Sequence, residues 1–201
     1  MKILCLADEE CSQLWENYRP ELLEGVELIL SCGDLKPEYL SFLVTMAGVP
    51  LLYVHGNHDE RYREQPPEGC DCIDGKVVTV KGLRILGLGG ARRYKPGPNL
   101  YSEGEMGLRA ARALPGILRR GGLDLMVTHA APRGYGDGED YTHQGFQTFN
   151  RLVERFSPDY LVHGHVHLNY GHNIPRQHQL GDTVVLNAFQ RCIIDVEPKG
   201  V

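Results

Sequence analysis

Five short runs of this chain carry side chains able to hold a cation or move a proton: Asp8-x-Glu10, Gly33-Asp34, Gly56-Asn57-His58-Asp59, Thr128-His129 and Gly164-His165-x-His167. A mixture of carboxylate, amide and imidazole donors suits Mn²⁺, Fe or Zn²⁺, whereas Ca²⁺ takes oxygen donors alone. The pair His165 and His167 is the most informative. Residues two apart on an extended chain point the same way, so both imidazoles can face one point. His163 shares that side by the same alternation and reads as a supporting or structural histidine. Taken singly, each run has an ordinary explanation. Asp34 reads as a helix N-cap, Asn57 as a turn residue, and His129 as a partly buried histidine. Together they read as one site, because Gly33, Gly56 and Gly164 also let backbone approach backbone closely.

Each run follows a segment that reads as a β-strand. Residues 2–7, 26–31 and 50–54 are short apolar strands, and a helix over 37–46 starts with Pro37 in its first turn. A further helix-like segment covers 12–17. Residues 76–88 read as a hairpin turning at Lys81-Gly82, and the Gly-, Pro- and Tyr-rich stretch 89–105 leads into a helix through about Arg119. Strands at 123–127 and 159–162 flank a Gly-rich loop (132–140) and a helix over 142–156. Residues 183–187 and 192–196 read as a terminal antiparallel pair. The strand–helix–strand rhythm implies parallel pairing with right-handed crossovers. In a parallel sheet the carboxyl ends of the strands share one edge, where open α/β folds place their ligands. The five runs all sit at such ends.

Composition narrows the partners. With 201 residues the chain reads as one α/β domain over 1–201 with two sheets and helices outside. A net charge of −5 gives no global positive field for duplex nucleic acid or an anionic membrane. The six cysteines are scattered without repeated CxxC spacing, as in a reduced cytoplasmic protein. The apolar run at the amino terminus meets acidic residues where a signal peptide would be cleaved, and no stretch approaches the roughly 20 apolar residues of a membrane span. A cytoplasmic location is expected.

In order and strand placement, from residue 8 to 167, these motifs resemble the calcineurin-like metallophosphoesterase superfamily; Gly-Asn-His-Asp with Gly-His-x-His is the specific part. The resemblance implies a four-layer α/β/β/α sandwich of two mixed sheets flanked by helices, with two divalent metals at the strand ends. It assigns Asp8, Asp34 and His167, with Glu10 in question, to one metal, and Asp34, Asn57, His129 and His165 to the other. Asp34 bridges, offsetting the repulsion of two cations roughly 3.5–4 Å apart. A hydroxide shared by the metals would attack phosphorus in line, and His58 resembles the histidine that assists the leaving group. Asp59 is placed to orient the His58 ring.

One position departs from the pattern: where the family has Asp-x-His, this chain has Glu10. Glu10 ligates directly, reaches the metal through water, or leaves that site weak. Direct ligation lowers the site's positive charge, which favours Mn²⁺ and monoanionic diesters over monoesters. The expected reaction is hydrolysis of a small phosphodiester, a nucleotide among the options. A phosphomonoesterase or phosphoprotein phosphatase, and a non-catalytic scaffold of the same fold, are the alternatives. Arg92, Arg93, Tyr94, Lys95 and Tyr101, with Arg133 and Tyr135, are the residues available to clamp a phosphate or stack a base. The sequence chooses no oligomeric state.

Overall fold

In the computed structural model, which describes residues 1–169, 171 and 174–198, strand β1 (Lys2–Ala7) is apolar on both faces. Ile3 and Cys5 point to one side and Leu4 and Leu6 to the other, all buried. Such a strand needs a packed layer on each face. Along the chain follow β2 (Leu28–Ser31), α1 (Pro37–Ala47), β3 (Leu51–Tyr53), β4 (Asp71–Cys72), β5 (Val77–Val80), β6 (Leu83–Leu88), β7 (Ala91–Arg92) and β8 (Leu100–Tyr101). Then come α2 (Glu103–Arg119), β9 (Leu125–Thr128), α3 (Gln147–Phe156), β10 (Tyr160–His163), β11 (Gln177–Leu180), β12 (Thr183–Asn187) and β13 (Gln190–Asp195).

Sheet 1 has the order β13-β1-β2-β3-β4 and is parallel except for β13. Sheet 2 has the order β11-β12-β10-β9-β6-β5, parallel in the middle with antiparallel edges. Ile3, Cys5, Leu30 and Leu52 of sheet 1 meet Ile85, Val127, Val162 and Leu186 of sheet 2 in the core between them. The outer face of sheet 1 packs Leu4, Leu6 and Ile29 on Tyr39, Leu40 and Leu43 of α1. The outer face of sheet 2 packs Leu86, Met126 and Leu161 on Met106, Ile117, Phe149 and Val153 of α2 and α3. The expected four-layer α/β/β/α arrangement is the one found.

Local chemistry sets the helix limits. Pro37 opens α1, and Gly48 closes it in a left-handed conformation (φ 63°). Ser102 and Glu105 form a capping box at the start of α2.

Some boundaries differ from expectation. The segment at 12–17 contains only a 3-10 turn, Ser12–Leu14. The last helix begins at Gln147 rather than 142, because residues before it run beside 131–133: the Phe146 N–H donates to Ala131 O at 3.1 Å. The terminal strands do not pair with each other. β12 joins β10 and β11 in sheet 2, while β13 joins β1 in sheet 1. Ala188 and Phe189 make the crossing: the Ala188 N–H donates to His163 O at 2.7 Å, and Phe189 bridges to Ala7.

Candidate metal centre

The carboxyl ends of β1, β2 and β3 meet those of β9 and β10 across the gap between the sheets, and the loops leaving them are stitched together. The Asp8 N–H donates to Gly33 O (3.1 Å) and the Gly164 N–H to His129 O (3.0 Å). The His165 N–H donates to the Asp8 carboxylate (2.9 Å) and the His58 N–H to Asp34 Oδ1 (2.8 Å). Close approach makes Gly56 obligatory: a Cβ there would lie 2.0 Å from Asp34 Oδ1. Asp8, Asp34 and His165 hold left-handed backbone (φ 68°, 58° and 68°), a strained conformation for such residues that concentrates at functional sites.

Three ligand atoms converge: Asp34, His129 and His165 each offer one, all within 4.8 Å of one another. His129 is completely buried. Its Nδ1 lies 2.8 Å from Cys32 O, an acceptor only, so Nδ1 carries a proton and donates. Its Nε2 then faces Asn57 Oδ1 at 2.9 Å and Asp34 Oδ2 at 3.3 Å. An imidazole lone pair and two oxygen acceptors cannot share one space unless something positive sits among them. A second proton on His129 would serve. Burial alone would push the His129 imidazole down, but the charge and hydrogen bond of Asp34, with Asp8, raise it to about 9. Reciprocally, burial would raise Asp34, and His129 holds it down at about 2. A divalent cation fits the same donor set.

The surrounding acids point the same way. Burial, with the repulsion of Asp34 and Asp59, lifts the Asp8 carboxyl to about 7 despite His129 and the His165 N–H. Burial and Asp34 likewise lift Asp59 to about 6. Negative charge here exceeds what the side chains neutralise, as expected of a cation site.

The imidazoles of sheet 2 are oriented by backbone carbonyls. His165 Nε2 donates to Thr142 O (2.9 Å), which leaves Nδ1 for a ligand, and its ring lies 4.9 Å from that of His129. Burial depresses the His165 imidazole to about 3. His163 is fully buried, and its Nδ1 donates to Gly164 O (2.9 Å), bracing the turn that carries His165. His167 lies against Phe189, ring centroids 5.0 Å apart, outside the three-residue group but near enough to Asp34 to feel its charge.

Three expected residues sit differently from the cluster. Glu10 turns to Lys36, accepting from its N–H at 2.9 Å and from Nζ at 3.5 Å. Asp59 Oδ2 accepts from the N–H groups of Gly56 (2.6 Å) and Asp34 (2.9 Å), so it fixes the two loops and makes no hydrogen bond to the His58 ring among the described residues. His58 is exposed at the rim, at the start of the short 3-10 turn Asp59–Arg63. One neighbour escaped sequence reasoning: His143, whose ring lies 5.0 Å from that of His165 and whose Nδ1 is 2.7 Å from Asp140 Oδ2. The Asp140-x-x-His143 spacing was a usable signal, hidden by the helix expected over 142–156.

The family described as calcineurin-like phosphoesterase matches residues 7–169, which include every expected ligand position. The UPF0046 protein K07C11.7 of Caenorhabditis elegans is 24% identical over 221 residues, covering 94% of this chain and 70% of that protein. An uncharacterized protein of Haemophilus influenzae is 26% identical over 181 residues, covering 73% of this chain and 75% of its own length. Among solved structures, TT1561 of Thermus thermophilus shares the fold with a TM-score of 0.64 at 16% identity, over 94% of this chain and 88% of that one.

Proposed function

The chain belongs to the calcineurin-like phosphoesterase family, and from that premise we propose that it hydrolyses a small phosphodiester, a nucleotide among the options, at a centre holding two divalent cations. The observation that supports this reading is the meeting of His129 Nε2, Asn57 Oδ1 and Asp34 Oδ2, three atoms of cation-binding type that face one point. Asp34, Asn57, His129 and His165 would hold one cation. Asp8, Asp34 and His167 would hold the other, with Glu10 reaching it only if it leaves Lys36. When bound, the cations supply Lewis acidity and acidify the water that attacks phosphorus. Mixed oxygen and nitrogen donors with several carboxylates favour Mn²⁺, with Fe or Zn²⁺ next.

The chain's own residues do the rest. Asp59 ties the β2 and β3 loops together through its two backbone hydrogen bonds and so fixes Asn57 and His58 relative to Asp34. His58, exposed beside Asp34, would hand a proton to the leaving oxygen. Asp8, Asp34 and Asp59 crowd the centre with negative charge, which favours a monoanionic diester over a dianionic monoester. The free cysteines fit the expected cytoplasmic location.

The test compares bis(4-nitrophenyl) phosphate with 4-nitrophenyl phosphate on Mn²⁺-loaded protein. The diester should turn over faster, EDTA should abolish turnover, and Asp34→Asn should lower kcat by about 10²- to 10³-fold or more. Faster monoester turnover would replace this reading with a monoesterase. Absence of EDTA-sensitive turnover would leave the non-catalytic scaffold.

A further inference from the structure

The 3-10 turn that begins beside His58 ends at Arg63, on the wall of a separate cleft of about 460 Å³. Arg63, Arg93, Arg109 and Arg112 line it, and Glu105 is the one carboxylate on its wall. Two of the arginines are fixed in place. Arg93 Nε donates to Leu100 O (3.3 Å) and its Nη2 to Glu105 (2.7 Å). Arg109 lies over the Tyr101 ring, 4.2 Å from its centroid, and donates to Gly89 O (2.8 Å) and to Asp74. Glu105 and Asp74 therefore offset Arg93 and Arg109. Arg63 and Arg112 are exposed, and their guanidinium groups make no hydrogen bond or ion pair among the described residues. In a chain of net charge −5, two uncompensated guanidinium groups on one cleft make a local positive well.

Guanidinium forks match phosphate oxygens in pairs, and the cleft volume lies within the usual range for small-molecule sites. The turn Asp59–Arg63 has five residues, which at about 2.0 Å rise per residue puts Arg63 roughly 10 Å from His58. The cleft is also joined to the metal centre through backbone: Gly89 O accepts from Arg109, and the next residue, Gly90, donates its N–H to His55 O at 2.7 Å.

We propose that this cleft is a second phosphate subsite, which takes an anionic phosphate group of the substrate other than the one being hydrolysed. The inference rests on the phosphodiesterase reading for its use in turnover. It narrows the substrate class to small diesters or anhydrides that carry a further anionic phosphate beside the scissile one.

Two arms test it on the full chain. In the first, pyrophosphate is titrated calorimetrically into metal-free protein, where the acidic centre repels anions. Arg63→Gln/Arg112→Gln should weaken binding about tenfold, with each single change weakening it less. Equal affinity in wild type and double variant, or no binding to wild type, overturns the subsite. In the second, on Mn²⁺-loaded protein, the double variant should raise KM for diadenosine tetraphosphate about tenfold while kcat/KM for bis(4-nitrophenyl) phosphate stays unchanged. Equal losses on both substrates overturn the proposal. If wild type fails to hydrolyse the bis-aryl ester, the phosphodiesterase reading falls, and the pyrophosphate titration still decides the cleft.

Discussion

The two halves of the candidate centre are built differently. Sheet 1 delivers oxygen donors, Asp8, Asp34 and Asn57, on loops packed so tightly that a methyl group at Gly33 or Gly56 would come within 2.2 Å and 2.0 Å of neighbouring atoms. Backbone N–H groups hold those carboxylates. Sheet 2 delivers imidazoles, His129, His165 and His167, and backbone carbonyls orient the first two of these rings. Acids are thus anchored by donors and histidines by acceptors. Each sheet contributes half of a candidate donor set that neither could make alone.

The largest effect that could break this contrast is steric. Gly56→Ala should destabilise the fold by about 3 kcal/mol or more, and Gly164→Ala, whose Cβ would meet Ala7 Cβ at 2.6 Å, by less. For a chain of this size each kcal/mol lowers Tm by roughly 2–4 °C, so thermal melts by circular dichroism rank the two. A larger drop for Gly164→Ala would reverse the assignment of the tighter half. Next in size is metal selectivity. His129→Ala should weaken Zn²⁺ binding more than Mn²⁺, and Asp8→Ala the reverse, by about 10- to 100-fold for the preferred ion. Competition against a chelator measures this, and parallel losses for both ions would show that the halves do not divide the chemistry.

Glu10→His should raise Zn²⁺ affinity and cost about 0.5–1 kcal/mol, because the Lys36 N–H at the start of α1 loses its acceptor. Unchanged Zn²⁺ affinity would mean that position 10 stays with Lys36 whatever residue occupies it. The smallest effect concerns the tie between the halves, Asp74, which binds His55 at the end of β3 and the Gly89 N–H after β6. Burial would raise its carboxyl, but the His55 hydrogen bond and Arg109 charge outweigh that and hold it below the usual range. A depressed folded value means the stabilisation is present above the unfolded pKa of about 3.9 and disappears as pH falls through the folded value. Urea midpoints of wild type and Asp74→Asn should therefore converge on acidification below about pH 4; a gap that persists would remove the ionic explanation.

Much of this was legible because the chemistry sits at strand ends. An apolar run that stops at Asp34 or His129 marks both the strand and its functional end, and β1, β2, β3, β9 and β10 fall near their expected places. The family resemblance covered the four layers and the three residues Asp34, His129 and His165 that the fold brings together. What escaped depends on partners distant in sequence. β12 and β13 have the apolar character of strands, but such a pattern names no neighbour, so their division between two sheets was hidden. Residues 142–146 read as the first turn of a helix, yet Asp140 holds Thr142 and His143 in a turn and Phe146 pairs beside Ala131, which brings His143 to His165. Glu10 was visible as a departure, while its engagement with Lys36 depended on where α1 begins.

The crossing at Ala188 and Phe189 has a consequence for how the protein is made. β1, which leads into Asp8, lies between β2 and β13, and its second neighbour is Gln190–Asp195. During synthesis β1 keeps one edge bare until Gln190–Asp195 has emerged. Only then can the Met1 ammonium reach Val196 O (2.8 Å) and the loop bearing Asp8 settle. Nascent chains that stall before residue 190 would therefore display an unpaired strand edge and leave the loop bearing Asp8 unsettled.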